Sequence, residues 1–205
     1  MDTFLKLNRD KLKSIFIRTS LVCLGFVFIV LTLAYLTGNF PTGQLLIGVL
    51  LATGIGFPVF ILLLGYLGWR LGQKARQKTF SKSPFNEIES IGFYKAFINH
   101  SSKWAFTEEI KEGKLNGFTL RMDLSKEKGR HTIEFQTPTE WKKIDKIEYN
   151  RLTEKFNQYH VEFKIGSLVK QYDTKQQTLQ TVSDLRKDLE LFTTLLRQEG
   201  FEPQT

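Results

Sequence analysis

From Thr19 to Trp69 the chain carries no Asp, Glu, Lys, Arg or His. That run restricts the possible folds more than any other feature. A helical hairpin buried in a soluble core keeps a polar edge and charged loop residues, and neither is present here. The segment "GNFPTGQ" (38–44) interrupts the run with two Gly, an Asn and a Pro, residues that break helices and favour turns. It leaves two apolar stretches, 19–37 and 45–69. As helices these reach about 28 and 37 Å, against a bilayer hydrocarbon core of about 30 Å. The expectation is a transmembrane hairpin with an external loop at 38–44. The first apolar run exceeds the core of a signal peptide and no small-residue cleavage site follows it, so the first span is expected to stay in the mature chain.

Charge placement sets the expected orientation. The net charge is +8, which alone would invite a nucleic-acid reading. Residues 1–18 hold five basic and two acidic side chains, and residues 70–86 hold five basic and none acidic. These two blocks account for the whole excess, and residues 87–205 balance. A nucleic-acid partner is therefore not expected. Arg70, Lys74, Arg76, Lys78 and Lys82 follow the second span directly, where basic residues hold a segment on the cytoplasmic side. Both termini are expected in the cytoplasm. Tyr66 and Trp69 suit the headgroup zone beside that run, and Tyr35 and Phe40 suit the opposite face.

Within the second span Gly48, Ala52 and Gly56 recur every four residues, a small-residue series that lets helix backbones approach closely. Packing against the first span is the expected use, with self-association as the other. Pro58 removes a backbone donor and is expected to bend the helix. No ionisable side chain lies at membrane depth, which argues against an ion or proton pathway. Cys23, the single cysteine, falls inside the first span and rules out an intramolecular disulfide or a multi-cysteine metal site.

The chain thus divides into a basic N-terminus (1–18), the hairpin (19–69), a basic connector (70–83) and a cytoplasmic α+β domain (84–205). In that domain Ser83 and Pro84 open an expected helix at 84–99, with Ile88, Ile91 and Ile98 at helical spacing. Alternation then predicts three strands, through Trp104, Phe106 and Ile110, through Phe118 to Leu124, and through Ile133 and Phe135. Asn116-Gly117 signals a hairpin turn, and Gly113 a bulge. A helix follows at 139–159, carrying Ile144, Ile147, Leu152, Phe156 and Tyr159. Val161, Phe163 and Ile165 lead through a Gly166-Ser167 turn into Leu168–Tyr172, where Lys170 fits the inner face poorly. Ser183 is expected to cap a closing helix with Leu185, Leu189, Phe192 and Leu196, ended by Gly200. The order is α-β-β-β-α-β-β-α with a largely antiparallel sheet.

This layout, with its basic connector, "GKLNGFTLRMDL", "VEFKIGSLVKQY" and Leu-rich closing helix, resembles a family of uncharacterised bacterial two-span membrane proteins with a cytoplasmic domain. The resemblance implies no chemistry; the expected address is a bacterial inner membrane with both termini cytoplasmic. A bacterial pleckstrin-homology-like domain shares the strand richness and closing helix, but the internal helix at 139–159 departs from its pattern.

Catalytic constellations are not evident. His100, His131 and His160 are isolated; Glu108 and Glu109 are adjacent on an expected strand and point to opposite faces. "GKLNG" lacks the order of a phosphate-binding loop, and no metal-ligand spacing occurs. No catalytic, cofactor-binding or metal residue is named, and no cofactor is implied. The leading expectation is a membrane-anchored interaction or regulatory module with the bilayer and a protein, or a second copy, as partners. The alternative is a membrane-tethered enzyme whose site is assembled from scattered polar residues.

Overall fold

The computed structural model describes residues 3–125, 127–129, 131–139, 145–164, 166–176 and 179–203. The chain divides into two compact units, one made of residues 1–72 with 99–108, the other of 73–98 with 109–205.

The first unit is helical. Helix α1 runs Thr3–Leu36, and after a short loop α2 (Gly43–Leu51), a π-helical turn (Ala52–Gly56) and α3 (Phe57–Phe80) follow without interruption. Both rods, of 34 and 38 residues, are long and apolar enough to cross a membrane, and almost nothing of their apolar windows is buried. The basic connector is helical as far as Phe80 because its Lys, Arg, Gln and Ala residues are good helix formers. The two rods are antiparallel and staggered. Ser20 Oγ donates to the Gly54 carbonyl at 2.8 Å, while the Phe4 ring lies 5.0 Å from those of Tyr66 and of Trp69. The uncharged stretch from Phe57 to Trp69 therefore runs beside the basic first half of α1.

Residues 99–108 complete this unit. Alternation predicts a strand through Trp104 and Phe106, but the segment is irregular and the strand begins only at Glu108. The Phe106 ring has a stronger competing site: it covers Gly65, where a Cβ would fall 2.5 Å from it, and meets Phe4 at 5.0 Å.

The second unit is a six-stranded antiparallel sheet in the order β1-β2-β3-β4-β6-β5. The strands are β1 (Tyr94–Ile98), β2 (Glu108–Leu115), β3 (Phe118–Leu124), β4 (Thr132–Pro138), β5 (Val161–Lys164) and β6 (Ser167–Asp173). The expected helix at 84–99 is instead a 3-10 helix, Phe85–Ile91, stopped by Gly92 at φ 93°, and then β1. A left-handed residue ends a helix, and Gly takes it without a Cβ clash. Gly113 is not a bulge: Lys111 to Leu115 pair in unbroken register with Met122 to Phe118. The Phe93 ring lies on its backbone, where a Cβ would fall 2.7 Å from it. The Asn116-Gly117 turn forms as expected, both residues at positive φ.

Helices α4 (Lys146–Asn157) and α5 (Val182–Gln198) bury Leu152, Phe156, Leu185, Leu189, Phe192 and Leu196 in one core with Phe118, Leu120, Phe135 and Leu168 of the sheet. Asp145 caps α4 by accepting from the Glu148 amide. Residues 140–144, including Ile144, lie outside the described residues, as does Ile165. Thr181, two residues before the expected Ser183, caps α5 by accepting from the Asp184 amide. Ser167, expected in the turn, already belongs to β6 and pairs with Lys164.

Candidate functional site

Of the basic run, Arg70, Lys74, Lys78 and Lys82 are exposed. Arg76 is not: it is 8 % exposed, and its guanidinium meets Asp123 of β3 through Nε–Oδ1 at 2.6 Å and Nη2–Oδ2 at 3.1 Å. Spacing gave no warning of this, because the partner lies 47 residues away. The small-residue series is placed differently from the expected close helix contact. A Cβ at Gly48 would meet nothing within 4 Å, and one at Gly56 only the Leu51 carbonyl. Ala52 is exposed as well. The close approach to α1 is at Gly54, where a Cβ would fall 3.2 Å from a Leu24 methyl. The π-helical turn explains the change, since its wider winding breaks the four-residue repeat between Ala52 and Gly56.

The second unit holds a cleft of about 630 Å³ where β6 outruns β5, between the end of α4 (Asn157–His160), β6 (Lys170–Asp173), Leu179 and α5. Its inner wall explains the misfit of Lys170. That residue does face the core side of β6, opposite Phe135 and Val161, and is 4 % exposed. Its ammonium is 3.1 Å from Asp188 Oδ2 of α5 and donates to the Tyr159 carbonyl at 3.1 Å. The Tyr172 hydroxyl donates to the same Oδ2 at 2.7 Å. Burial, with the Asp188 charge beside it, pushes the Tyr172 phenol well above its ordinary value, so it remains a donor. A charge on an apolar strand face is thus neutralised by an acid from the helix above, a long-range pairing invisible to strand periodicity.

The outer wall continues onto the opposite sheet face. Lys128 is paired with Glu162 and donates to Gln171 Oε1 at 2.7 Å. Gln171 donates to Glu134, which also takes both bonds of Lys164 at 2.9 and 3.1 Å. Glu134 is 1 % exposed. Burial would raise its carboxyl, but donors from Ser125, Lys164 and Gln136 and the Lys164 charge outweigh it, and the carboxyl sits below its ordinary range.

The charged groups of both walls are thus paired with one another. His160, at φ 55°, lines the cleft and is exposed; His100 and His131 are exposed elsewhere. Among the described residues no three His, Cys, Asp or Glu side chains converge as metal ligands. The two sheet edges are similar in length and differ in exposed apolar surface. β5 is four residues long and carries Glu162 and Lys164; β1 is five residues long, carries Lys95 paired with Glu109, and exposes Tyr94 (51 %) and Phe97 (46 %). Charged side chains on an edge strand resist pairing with other chains, and exposed apolar ones invite it.

Comparison with protein-family models, with curated proteins and with solved structures gave no match.

Proposed function

We propose that this chain is a membrane-anchored interaction module, with its helical rods in an inner membrane, both termini cytoplasmic, and the sheet unit offering its β1 edge to a protein partner. One observation carries the anchoring: Leu21, Phe26, Phe28, Ile47, Leu51 and Ile55 all stand exposed on the rods. A hydrocarbon environment covers such surface, and water does not. The basic flanks favour the cytoplasmic orientation. The β1 edge supports the binding role, since an added strand satisfies edge backbone groups while side-chain pockets give selectivity. The mutual pairing of Lys170, Asp188, Tyr172, Lys128 and Glu162 argues against the enzyme reading.

The test places a photo-crosslinking residue at Phe97, or at Glu162 on the other edge, in native membranes. A defined adduct from position 97 that Tyr94→Lys abolishes, with none from position 162, is expected. Extraction of the chain by alkaline carbonate, or equal labelling from both edges, would overturn the proposal.

A further inference from the structure

Residues 99–108 are held within the first unit by contacts that leave one large side chain mostly exposed. Lys11 donates to the Asn99 carbonyl and, at 2.9 Å, to that of Ala105. Asn8 Oδ1 accepts from the Thr107 amide at 2.7 Å, and Trp69 Nε1 donates to the Thr107 carbonyl at 2.9 Å. With Phe106 seated on Gly65, the segment is fixed at both ends. Trp104 remains 68 % exposed, and its ring lies 5.1 Å from the guanidinium of Arg18.

Arg18 is the last charge of α1 before the uncharged run. Helical side chains lean toward the N-terminus, so its guanidinium reaches back from the apolar stretch to the ring. Lys103, next to Trp104, is exposed, and neither 99–107 nor 11–18 contains an acidic residue. An amphipathic indole stacked on a cation, at the level where an apolar helix becomes basic, matches the headgroup layer of a bilayer in both polarity and charge.

We infer that residues 99–107 form an interfacial foot, in which Trp104 lies in the headgroup layer and Arg18 with Lys103 holds the phosphate of an anionic phospholipid. The inference rests on the anchoring proposed above. Its chemistry is that of a lipid surface: the indole faces the glycerol region while the two cations neutralise headgroup phosphate.

The full chain in phosphatidylcholine nanodiscs doped with brominated phosphatidylglycerol or brominated phosphatidylcholine provides the test. Bromine quenches nearby indoles, and the signal of Trp104 is the difference between the natural chain and Trp104→Phe. Stronger quenching by the brominated phosphatidylglycerol is expected, with loss of that preference in Arg18→Gln combined with Lys103→Gln. Equal quenching by the two lipids, or quenching of the Trp104 signal only by aqueous iodide, would overturn the inference. Carbonate extraction of the same chain separates the two failures. A chain that resists extraction while its Trp104 answers only to iodide retains its anchor and lacks the foot; an extracted chain loses both.

Discussion

Asp123 and Glu134 stand directly opposite one another on β3 and β4, two nearly buried carboxylates on one face of the sheet. Like charges in that position repel. Each is given its own cation from elsewhere in the unit, Arg76 for Asp123 and Lys164 for Glu134.

Removing Arg76 should therefore cost more than a surface arginine would. Arg76→Ala leaves Asp123 unpaired beside Glu134, and the expected loss is about 3 kcal/mol, in the range for breaking a buried pair. Arg76→Lys should recover only part of it, because one ammonium cannot reproduce the two-pronged bond. Urea unfolding of the purified chain in detergent measures both. A fragment starting at Ser83 should be less stable than one starting at Gln73 for the same reason.

Acid should act through Glu134, together with Glu199, whose carboxyl Lys155 and Arg151 hold below its ordinary range. The folded carboxyl of Glu134 titrates below the unfolded one, so between the two values the unfolded state binds more protons. The stability it contributes is present above the ordinary glutamate value of 4.5 and is lost as pH falls through the lower, folded value. Glu134→Gln should flatten part of this acid limb in a series of unfolding curves, leaving the neutral region nearly level with pH.

At the cleft the two partners should be unequal. Asp188→Ala leaves a buried ammonium with only the Tyr159 carbonyl and the Tyr172 ring and no counter-charge, and should cost about 3 kcal/mol. Lys170→Met keeps the volume of the side chain, and Asp188, with 28 % of its side chain exposed, can turn to water and Tyr172. Its cost should stay below about 1.5 kcal/mol. Equal losses in the two variants would show that the pair, rather than the buried cation, sets the energy.

Replacing Arg70, Lys74, Lys78 and Lys82 by Gln should raise the fraction of inverted chains, read by reporters after Thr205 and near Thr42. Because these four are exposed, folding of the sheet unit should be unchanged. Arg76 is left out of this set, since its loss would confuse insertion with stability.

What periodicity can report, it reported: the two apolar rods, the Asn116-Gly117 hairpin, and the Leu185, Leu189, Phe192 and Leu196 face of α5 all follow from local pattern. The errors share one cause. Ile88, Ile91 and Ile98 mimic helical spacing, but Gly92 breaks the segment, and β1 is a short edge strand whose exposure removes the alternation that would have marked it. Trp104 and Phe106 alternate like strand residues while serving another unit of the chain. Lys170 looked misplaced because its partner, Asp188, comes from α5. The cleft and the Arg76–Asp123 bond likewise depend on residues far apart in sequence, which no local window contains.

The chain passes between its two units at residues 72, 98 and 108, and this has a consequence for biosynthesis. When the rods have left the ribosome, Asn8 still lacks the Thr107 amide, Trp69 the Thr107 carbonyl, and Gly65 the ring of Phe106. On the anchoring proposed above, insertion of the rods and completion of their packing are therefore separate events in time. The second waits until β1 has been synthesised and the following loop has returned, so a chain arrested before Thr107 carries an unfinished helical unit, with the partners of Asn8, Trp69 and Gly65 still missing.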